Sequence, residues 1–240
     1  MIHKIENISI RGISNCVPKN TVSNSDYDLI SESERKMLIK TTGIENRRVA
    51  TENVCASDLC FEAANELLAK LNWSNDSVDA LIFVSQSQDY YLPATAIILQ
   101  DRLKLAKTTI AFDVNLGCSG YVYGLYLLST MLAAGGIKRA LLLCGDVSTN
   151  SVNYEDKSSY PLFGDSGSAT ALEYNSSASP SYFNLGSDGE GHKAIMIKGG
   201  GTKHKFHKDS LTVKNVSPGI KRHELNIILE GLDIFNFSIK

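Results

Sequence analysis

The sequence predicts an α/β protein, a sheet covered by helices, and three observations carry that expectation. The run DALIFV at 79–84 is apolar enough to be a strand buried on both faces. Cys55, Leu59, Cys60, Ala63, Leu67, Leu68 and Leu71 recur at helical spacing and predict an amphipathic helix over about 54–71. A strand at 109–114 (TIAFDV), a glycine-flanked turn, an apolar helix at about 119–134 and a strand at 139–144 (RALLLC) then repeat the strand–helix–strand order of a parallel sheet.

The remaining elements follow in order. Residues 4–11 read as a first strand. Pro93 suits the first turn of a helix at about 93–103, where its missing N–H has no intrahelical partner to lose. In SYPLFGDSGSATALEY, at 159–174, a glycine-bearing turn precedes a strand, SATALEY. NSSASPS at 175–181 is a polar loop, and 182–185 is a further candidate strand. GSDGEG at 186–191 and GGGT at 199–202 punctuate the chain around a short strand-like run, Ala194–Lys198. Residues 203–223 are mixed and polar, and 224–230 are an apolar helix or strand. The length reads as one large domain or two small ones, and since no linker or repeat divides the chain convincingly, residues 1–240 are expected to form a single domain. The closing run LDIFNFSIK is apolar and alternating with no polar tail. It predicts a stop at a domain boundary within a longer polypeptide, the alternative being a natural C-terminal edge strand.

Composition narrows the function classes. The 240 residues are 43% hydrophobic and 21% charged, with 18 Gly and 5 Pro, as in an ordinary globular protein. Against 24 basic residues stand 26 acidic ones, a net charge of -2, with no basic tail to meet phosphates, so nucleic acid is not an expected partner. The most apolar segments, around 120–134 and 137–144, are broken by Gly136, Lys138 and Arg139 and fall short of a bilayer span, so no membrane association is expected. No apolar stretch near the N-terminus precedes a small-residue cleavage site, which predicts a cytoplasmic location. Five cysteines at irregular spacing, Cys16, Cys55, Cys60, Cys118 and Cys144, argue against a disulfide framework and against a four-thiolate zinc site.

The chemistry concentrates in Asp113-Val114-Asn115-Leu116-Gly117-Cys118-Ser119-Gly120. Between a buried strand and an apolar helix, Cys118 is expected at a tight turn on the helix N-terminus. There the positive end of the helix favours a thiolate, and glycines 117 and 120 admit a ligand. The local pattern leaves two readings open, a nucleophile and a small packing cysteine. No histidine presents itself as its partner: His3 precedes a strand, and His192, His204, His207 and His223 lie in polar, aperiodic segments. His204 and His207 can ligate a metal in principle, but without a cysteine or a second histidine pair they read as a solvated loop, and no metal site is expected. Gly164–Ser168 lacks the Lys and Ser/Thr ending of a phosphate loop and reads as a supporting turn. Arg47 and Arg48 can meet a phosphate or carboxylate, or simply face solvent with a local ion pair. Tyr90, Tyr91 and Leu92 before Pro93 read as a loop that lines a pocket or a subunit contact.

Several blocks together resemble one family. DVNLGCSGYVYGL is similar to the active-site cysteine segment of the β-ketoacyl-acyl-carrier-protein synthase III family, within the thiolase-like superfamily. TTGIENRRVA at 41–50, SQSQDYYLPATA at 85–96, LLLCGDVSTN at 141–150 and PLFGDSGSATAL at 161–172 resemble it in order. GSDGEG, GGGT and LEGLDIFNFSI at 229–239 continue the likeness over nearly the whole chain.

The resemblance implies a thiolase-like αβαβα enzyme of two similar halves. This chain then supplies the N-terminal αβα half, a central mixed sheet covered by helices, in a homodimer. It implies that Cys118 accepts an acyl group from acyl-coenzyme A, its own backbone N–H serving as one oxyanion donor. Malonyl-acyl-carrier-protein then decarboxylates and condenses with the thioester, in fatty-acid or related biosynthesis, with acyl carrier protein as partner and no permanently bound cofactor. The family's His and Asn fall beyond the segments matched here, so the expectation is a chain that lacks condensation activity alone. Aligned on Thr42-Gly43-Ile44, Met37 and Thr41 stand where the family places a Trp and an Arg that clasp coenzyme A, which puts a coenzyme A donor against a carrier-protein donor. Thr41, Arg47 and Leu92 are the expected substrate-binding residues, Leu92 at the position that reaches the partner's acyl channel. Its smaller side chain is expected to admit a longer or branched chain. The alternatives are a thiolase-fold acyltransferase of secondary metabolism and a non-catalytic dimerising domain in which Cys118 only packs.

Overall fold

A computed structural model describes residues 2–239. In chain order its elements begin β1 (Ile2–Ile5), β2 (Ile8–Cys16), β3 (Thr21–Ser23), α1 (Glu32–Thr42), β4 (Asn46–Arg48) and α2 (Ala56–Leu71). They continue β5 (Ala80–Val84), α3 (Thr95–Arg102), β6 (Ile110–Val114), α4 (Gly120–Ala133), β7 (Arg139–Asp146), β8 (Ser166–Tyr174) and β9 (Ser181–Asn184). The last are β10 (Ile195–Ile197), β11 (Lys214–Ser217), β12 (Ile220–Arg222), β13 (Ile227–Leu229) and α5 (Gly231–Ser238). The chain forms two compact units. One comprises Met1–Lys19, Ala50–Val147 and Asp165–Gly186; the other comprises Asn20–Val49, Ser148–Gly164 and Ser187–Lys240.

The first unit is a three-layer αβα sandwich. Its five-stranded sheet runs β2-β8-β7-β5-β6, with β7, β5 and β6 parallel and β8 antiparallel to both β7 and β2. The strand–helix–strand grammar predicts a parallel sheet, and only β7, β5 and β6 obey it. β8 follows β7 through a connection without a crossover helix, so it returns antiparallel. The pleat divides the core. Leu81 and Phe83 of β5 join Leu141 and Leu143 of β7 under α2 and α3, while Ala80, Ile82, Val84, Ala140 and Leu142 face Leu128 and Leu132 of α4. All five residues of β5 are buried, as the continuous run DALIFV requires.

Local boundaries have local causes. The expected strand 4–11 is two strands, parted where Asn7 takes a φ of 67°, so β1 pairs with β9 and β2 with β8. Helix α2 ends at Asn72 in the left-handed conformation. It buries Leu59, Cys60, Ala63, Ala64, Leu67 and Leu68, the apolar stripe of the sequence. Gly167 belongs to β8, opposite Gly145 of β7, and a Cβ there would lie 2.5 Å from the Cys60 nitrogen. Gly167 thus lets α2 lie directly on the sheet, and Ser166–Ser168, read from sequence as part of a supporting turn, begin strand β8 instead.

The second unit is built of short pieces. α1 starts at a capping box, in which Ser31 Oγ accepts from the Glu34 N–H at 3.3 Å and Glu34 Oε2 accepts from the Ser31 N–H at 2.8 Å. It ends at Gly43, φ 73°. β3 pairs with β4, β11 with β12, and β10 with β13, all antiparallel. The mixed, polar stretch 203–223 contains the β11–β12 hairpin, and Gly231–Ser238 form helix α5, which sets aside the alternative of a closing edge strand. Among the described residues no helix is long and apolar enough to cross a membrane.

Candidate active site

Strands β5, β6 and β7 point their carboxyl ends the same way, and the segment 115–119 leaves β6 there to enter α4. In sheets of this kind ligands bind outside the carboxyl ends of the parallel strands. Cys118 sits in that turn and is exposed. The Gly120 N–H donates to the Gly117 carbonyl at 2.8 Å and the Tyr123 N–H to the Ser119 carbonyl at 3.1 Å, so Cys118 lies just before the first helical hydrogen bonds, at the positive end of a fourteen-residue helix.

The glycines around it set where the helix can lie. A Cβ on Gly120 would fall 2.5 Å from Val84 Cγ1 and 3.2 Å from Leu116 Cβ, and one on Gly124 would strike the Leu142 side chain. Both glycines are needed for α4 to rest directly on β5 and β7. The sequence suggested that Gly120 admits a ligand; its open side faces the sheet instead. Gly117 differs, because a Cβ there would meet only the end of the Gln86 side chain, its Oε1 at 2.6 Å, which can turn aside.

Carboxylates brace the same edge of the sheet. Asp146 Oδ1, at the end of β7, accepts from Ser85 Oγ at 3.0 Å, from the Gln86 N–H at 2.7 Å and from Ser87 Oγ at 3.0 Å. Ser87 Oγ in turn accepts from the Val147 N–H at 3.2 Å. Asp113 of β6 caps α3, its two oxygens accepting the N–H groups of Thr95 and Ala96, each at 2.7 Å. Sequence reasoning passed over both aspartates as site builders. Their only signal was position, each at the carboxyl end of a predicted strand.

The five cysteines separate by environment. Burial pushes the thiols of Cys60 and Cys144 up to about 12, so both are protonated and inert near neutrality. Burial also raises Cys16 and Cys55, and for Cys55 the carboxylates of Asp89 and Asp58 add to it. Cys55 is the N-cap of α2, so two cysteines stand at helix N-termini, and carboxylates oppose ionisation at Cys55.

The other expected site residues distribute as follows. Leu92 is 86% exposed in the loop before α3, beside exposed Tyr90 and Tyr91. Thr41 lies exposed on α1, and Met37, on the same helix, is also exposed. Arg47 corrects its expectation. It is 4% exposed, its Nε donates to Asn24 Oδ1 at 3.0 Å, its Nη1 donates to the Phe163 carbonyl at 2.9 Å, and its guanidinium stacks on Tyr160 at 4.6 Å. That guanidinium organises the second unit from within and presents no open face to a phosphate. Within the unit that holds Cys118 the histidine is His3, whose Nδ1 lies 3.4 Å from the hydroxyl of Tyr126. Tyr126 stands eight residues along from Cys118, roughly 12 Å down the helix axis, so His3 is not a partner of the thiol.

An αβα unit in which an exposed cysteine sits in the turn just before an apolar helix, at the carboxyl edge of the parallel strands, defines a thiolase-like protein, and the solved relatives agree. A profile described as 3-oxoacyl-[acyl-carrier-protein (ACP)] synthase III matches residues 112–189, a stretch that runs from within β6 past β9 and includes Cys118. A 3-oxoacyl-(acyl-carrier protein) synthase structure from Burkholderia xenovorans LB400 is 35% identical and superposes with a TM-score of 0.91, covering 100% of this chain and 67% of its own. A further 3-oxoacyl-(acyl-carrier-protein) synthase III structure is 32% identical with a TM-score of 0.88, covering 97% of this chain and 70% of its own. The β-ketoacyl-[acyl-carrier-protein] synthase III of Chlamydia caviae is 30% identical over 241 residues, covering 100% of this chain and 69% of that protein. The chain belongs to the 3-oxoacyl-acyl-carrier-protein synthase III family, and it spans about two thirds of the length of these relatives.

Proposed function

We propose that Cys118 is the acyl-accepting nucleophile of a β-ketoacyl-acyl-carrier-protein synthase. The single observation that carries this reading is the placement of an exposed cysteine at the N-terminus of α4, on the carboxyl edge of β5, β6 and β7. The thiolate attacks the carbonyl carbon of an acyl thioester. The developing oxyanion is met by the Cys118 N–H at the helix end, and the tetrahedral intermediate expels the donor thiolate, which takes up a proton from solvent. The acyl group is then a thioester on Cys118. In the second half-reaction malonyl-acyl-carrier-protein loses carbon dioxide, its carbanion forms the new carbon–carbon bond at the thioester carbonyl, and the Cys118 thiolate leaves.

The residues present fit the first half-reaction better than the second. A decarboxylative step needs donors for the enolate oxygen, and the one histidine of the Cys118 unit is engaged with Tyr126. The chain is therefore read as an N-terminal thiolase-like domain, residues 1–240, competent in acyl acceptance and dependent on a further His and Asn for condensation. Acyl-coenzyme A and malonyl-acyl-carrier-protein are the substrates, acyl carrier protein is the partner, and no cofactor is permanently held. A homodimer in the cytoplasm completes the reading. The exposed Tyr90, Tyr91 and Leu92 support the subunit contact, because three large side chains on one loop tip need cover. The test is release of free coenzyme A from acetyl-coenzyme A. One equivalent per chain, absent in Cys118→Ala, supports the proposal; release that persists in Cys118→Ala overturns it.

A further inference from the structure

His204, His207 and Glu224 meet in the second unit. His204 Nε2 lies 2.9 Å from Glu224 Oε2, and His207 Nε2 lies 3.0 Å from the same oxygen. The three ligand atoms are all within 4.8 Å of one another. Sequence spacing alone gave His-Lys-Phe-His and no third ligand; the fold brings that ligand from 17 residues downstream of His207.

The backbone builds this meeting. The Glu224 N–H donates to the Ser210 carbonyl at 3.1 Å, and the Glu224 carbonyl accepts from the Gly199 N–H at 2.8 Å. Gly199 suits this close approach, since a Cβ there would be 3.0 Å from Glu224 Cβ and the neighbours would have to give by a few tenths of an ångström. The His207 N–H donates to Ser210 Oγ at 3.0 Å, and the Ser210 N–H returns to the His207 carbonyl at 3.0 Å. Ser210 itself is fully buried. The carboxylate and the second imidazole are thus tied to one backbone frame, and only His204 approaches from the flanking loop. The Glu224 side chain is 17% exposed against 35% for His204 and 46% for His207, so the cluster has a fixed floor and an open top.

We propose that His204, His207 and Glu224 form a divalent metal site whose ion is Zn2+. Imidazole nitrogens and one carboxylate oxygen are a donor set that zinc takes, at about 2.0–2.2 Å from each atom. Tetrahedral geometry at those lengths separates ligand atoms by about 3.3 Å, a few tenths beyond the two contacts observed. Both imidazoles aim Nε2 at one oxygen, so an ion among the three atoms takes the place of the two N–H protons. The neutral rings then carry their protons on Nδ1. For His207 this reverses the contact at 3.3 Å in which the Asp209 N–H donates to Nδ1, and the 207–209 turn adjusts to it. Lys214 Nζ, 3.7 Å from Glu224 Oε1, holds the other carboxylate oxygen, so the glutamate ligates through Oε2 alone. Three protein ligands leave a fourth position for water or an anion, and Lys203, Lys205 and Lys208 on the same loop favour the anion. The same lysines disfavour Ca2+ and Mg2+, which depend on carboxylate charge, while zinc gains from its bonds to nitrogen.

The experiment titrates the chelator-stripped full chain with ZnCl2 by calorimetry and repeats the titration with Co2+ in the visible. The proposal expects one equivalent of Zn2+ and the absorption of tetrahedral Co2+. His204→Ala and Glu224→Gln, read separately, should each weaken Zn2+ binding by about tenfold or more. Zn2+ should raise the thermal midpoint of the wild-type chain and leave that of His204→Ala in place. Because His204 is on the open side, its variant keeps the backbone frame and remains informative if Glu224→Gln folds poorly. No uptake of Zn2+ by the wild-type chain, or equal uptake by wild type and His204→Ala, overturns the proposal. Neither result bears on Cys118.

Discussion

Gly120 and Val84 are in such close register that a single added carbon at residue 120 would sit 2.5 Å from Val84 Cγ1. The start of α4, and with it the height of Cys118 above the sheet, is therefore set by the absence of a side chain. Gly120→Ala is expected to push the helix end off β5 and to destabilise the chain by about 1–3 kcal/mol, the ordinary cost of overpacking. Urea unfolding measures this. Gly117→Ala meets only the movable Gln86 amide and should cost clearly less, so equal costs at the two positions would contradict the packing account.

Asp146 holds the 85–87 loop through three hydrogen bonds on one oxygen. Asp146→Ala leaves the partly buried Ser85 and Ser87 hydroxyls and the Gln86 N–H without their acceptor, at a cost of about 1–3 kcal/mol. Amide hydrogen exchange should show the loop at 85–87 opening first, with β5 itself still protected. Unchanged exchange at Gln86 would show that the loop is held by other means.

Alkaline stability should depend on two thiols, buried Cys60 and half-buried Cys144. Burial raises Cys60 and Cys144 from the model-compound value of 9.0 to about 12 in the folded chain. Between those values the unfolded chain ionises and the folded chain does not, so the unfolded state binds fewer protons and stability falls as pH rises. Their contribution is intact below pH 9 and is lost as pH climbs toward 12. Cys144→Ala should flatten the decline in urea midpoint above pH 9, whereas a parallel decline in wild type and variant would remove Cys144 from the explanation.

Reactivity should follow the same order. With iodoacetamide at pH 8, Cys118 is expected to be modified first, while Cys60 and Cys144 stay unmodified until the chain unfolds. Peptide mapping after a short exposure reads this directly. Prior labelling at Cys55, the other helix-end cysteine, would mean that its neighbouring carboxylates do not restrain it.

Leu92 offers a test of chain-length selection. Leu92→Phe is expected to leave acetyl transfer to Cys118 in place and to reduce transfer of octanoyl groups by about tenfold, the scale of a small steric change in an apolar channel. An equal effect on both donors would place Leu92 outside the acyl path.

Much of the first unit was legible because its signals are continuous. DALIFV is a strand buried on both faces, and the stripe from Cys55 to Leu71 can only bury one side of a helix. The turn at Cys118 was legible for the same reason, lying between two such elements. What stayed hidden depends on pairings across the chain. The antiparallel sense of β8 is a property of the connection, not of its residues. β11 and β12 are three or four residues long and charged, so no period develops. The alternation of LDIFNFSIK fits a strand, and yet Leu232–Ser238 lie in helix α5, in which Leu232, Phe235 and Phe237 remain exposed. Arg47 looked like a surface cation because nothing in its own segment announces Asn24, Tyr160 and Phe163 as partners. Glu224 is the same case, a partner of His204 and His207 only once its backbone contacts to Gly199 and Ser210 are in place.

The central claim, that Cys118 accepts the acyl group, is tested most directly by intact-mass and peptide spectrometry after incubation with short and long acyl-coenzyme A. The account predicts a single thioester adduct, located on Cys118, removed by hydroxylamine and missing from Cys118→Ala. An adduct on another residue, or a folded chain that takes up no acyl group from any of these donors, would contradict it.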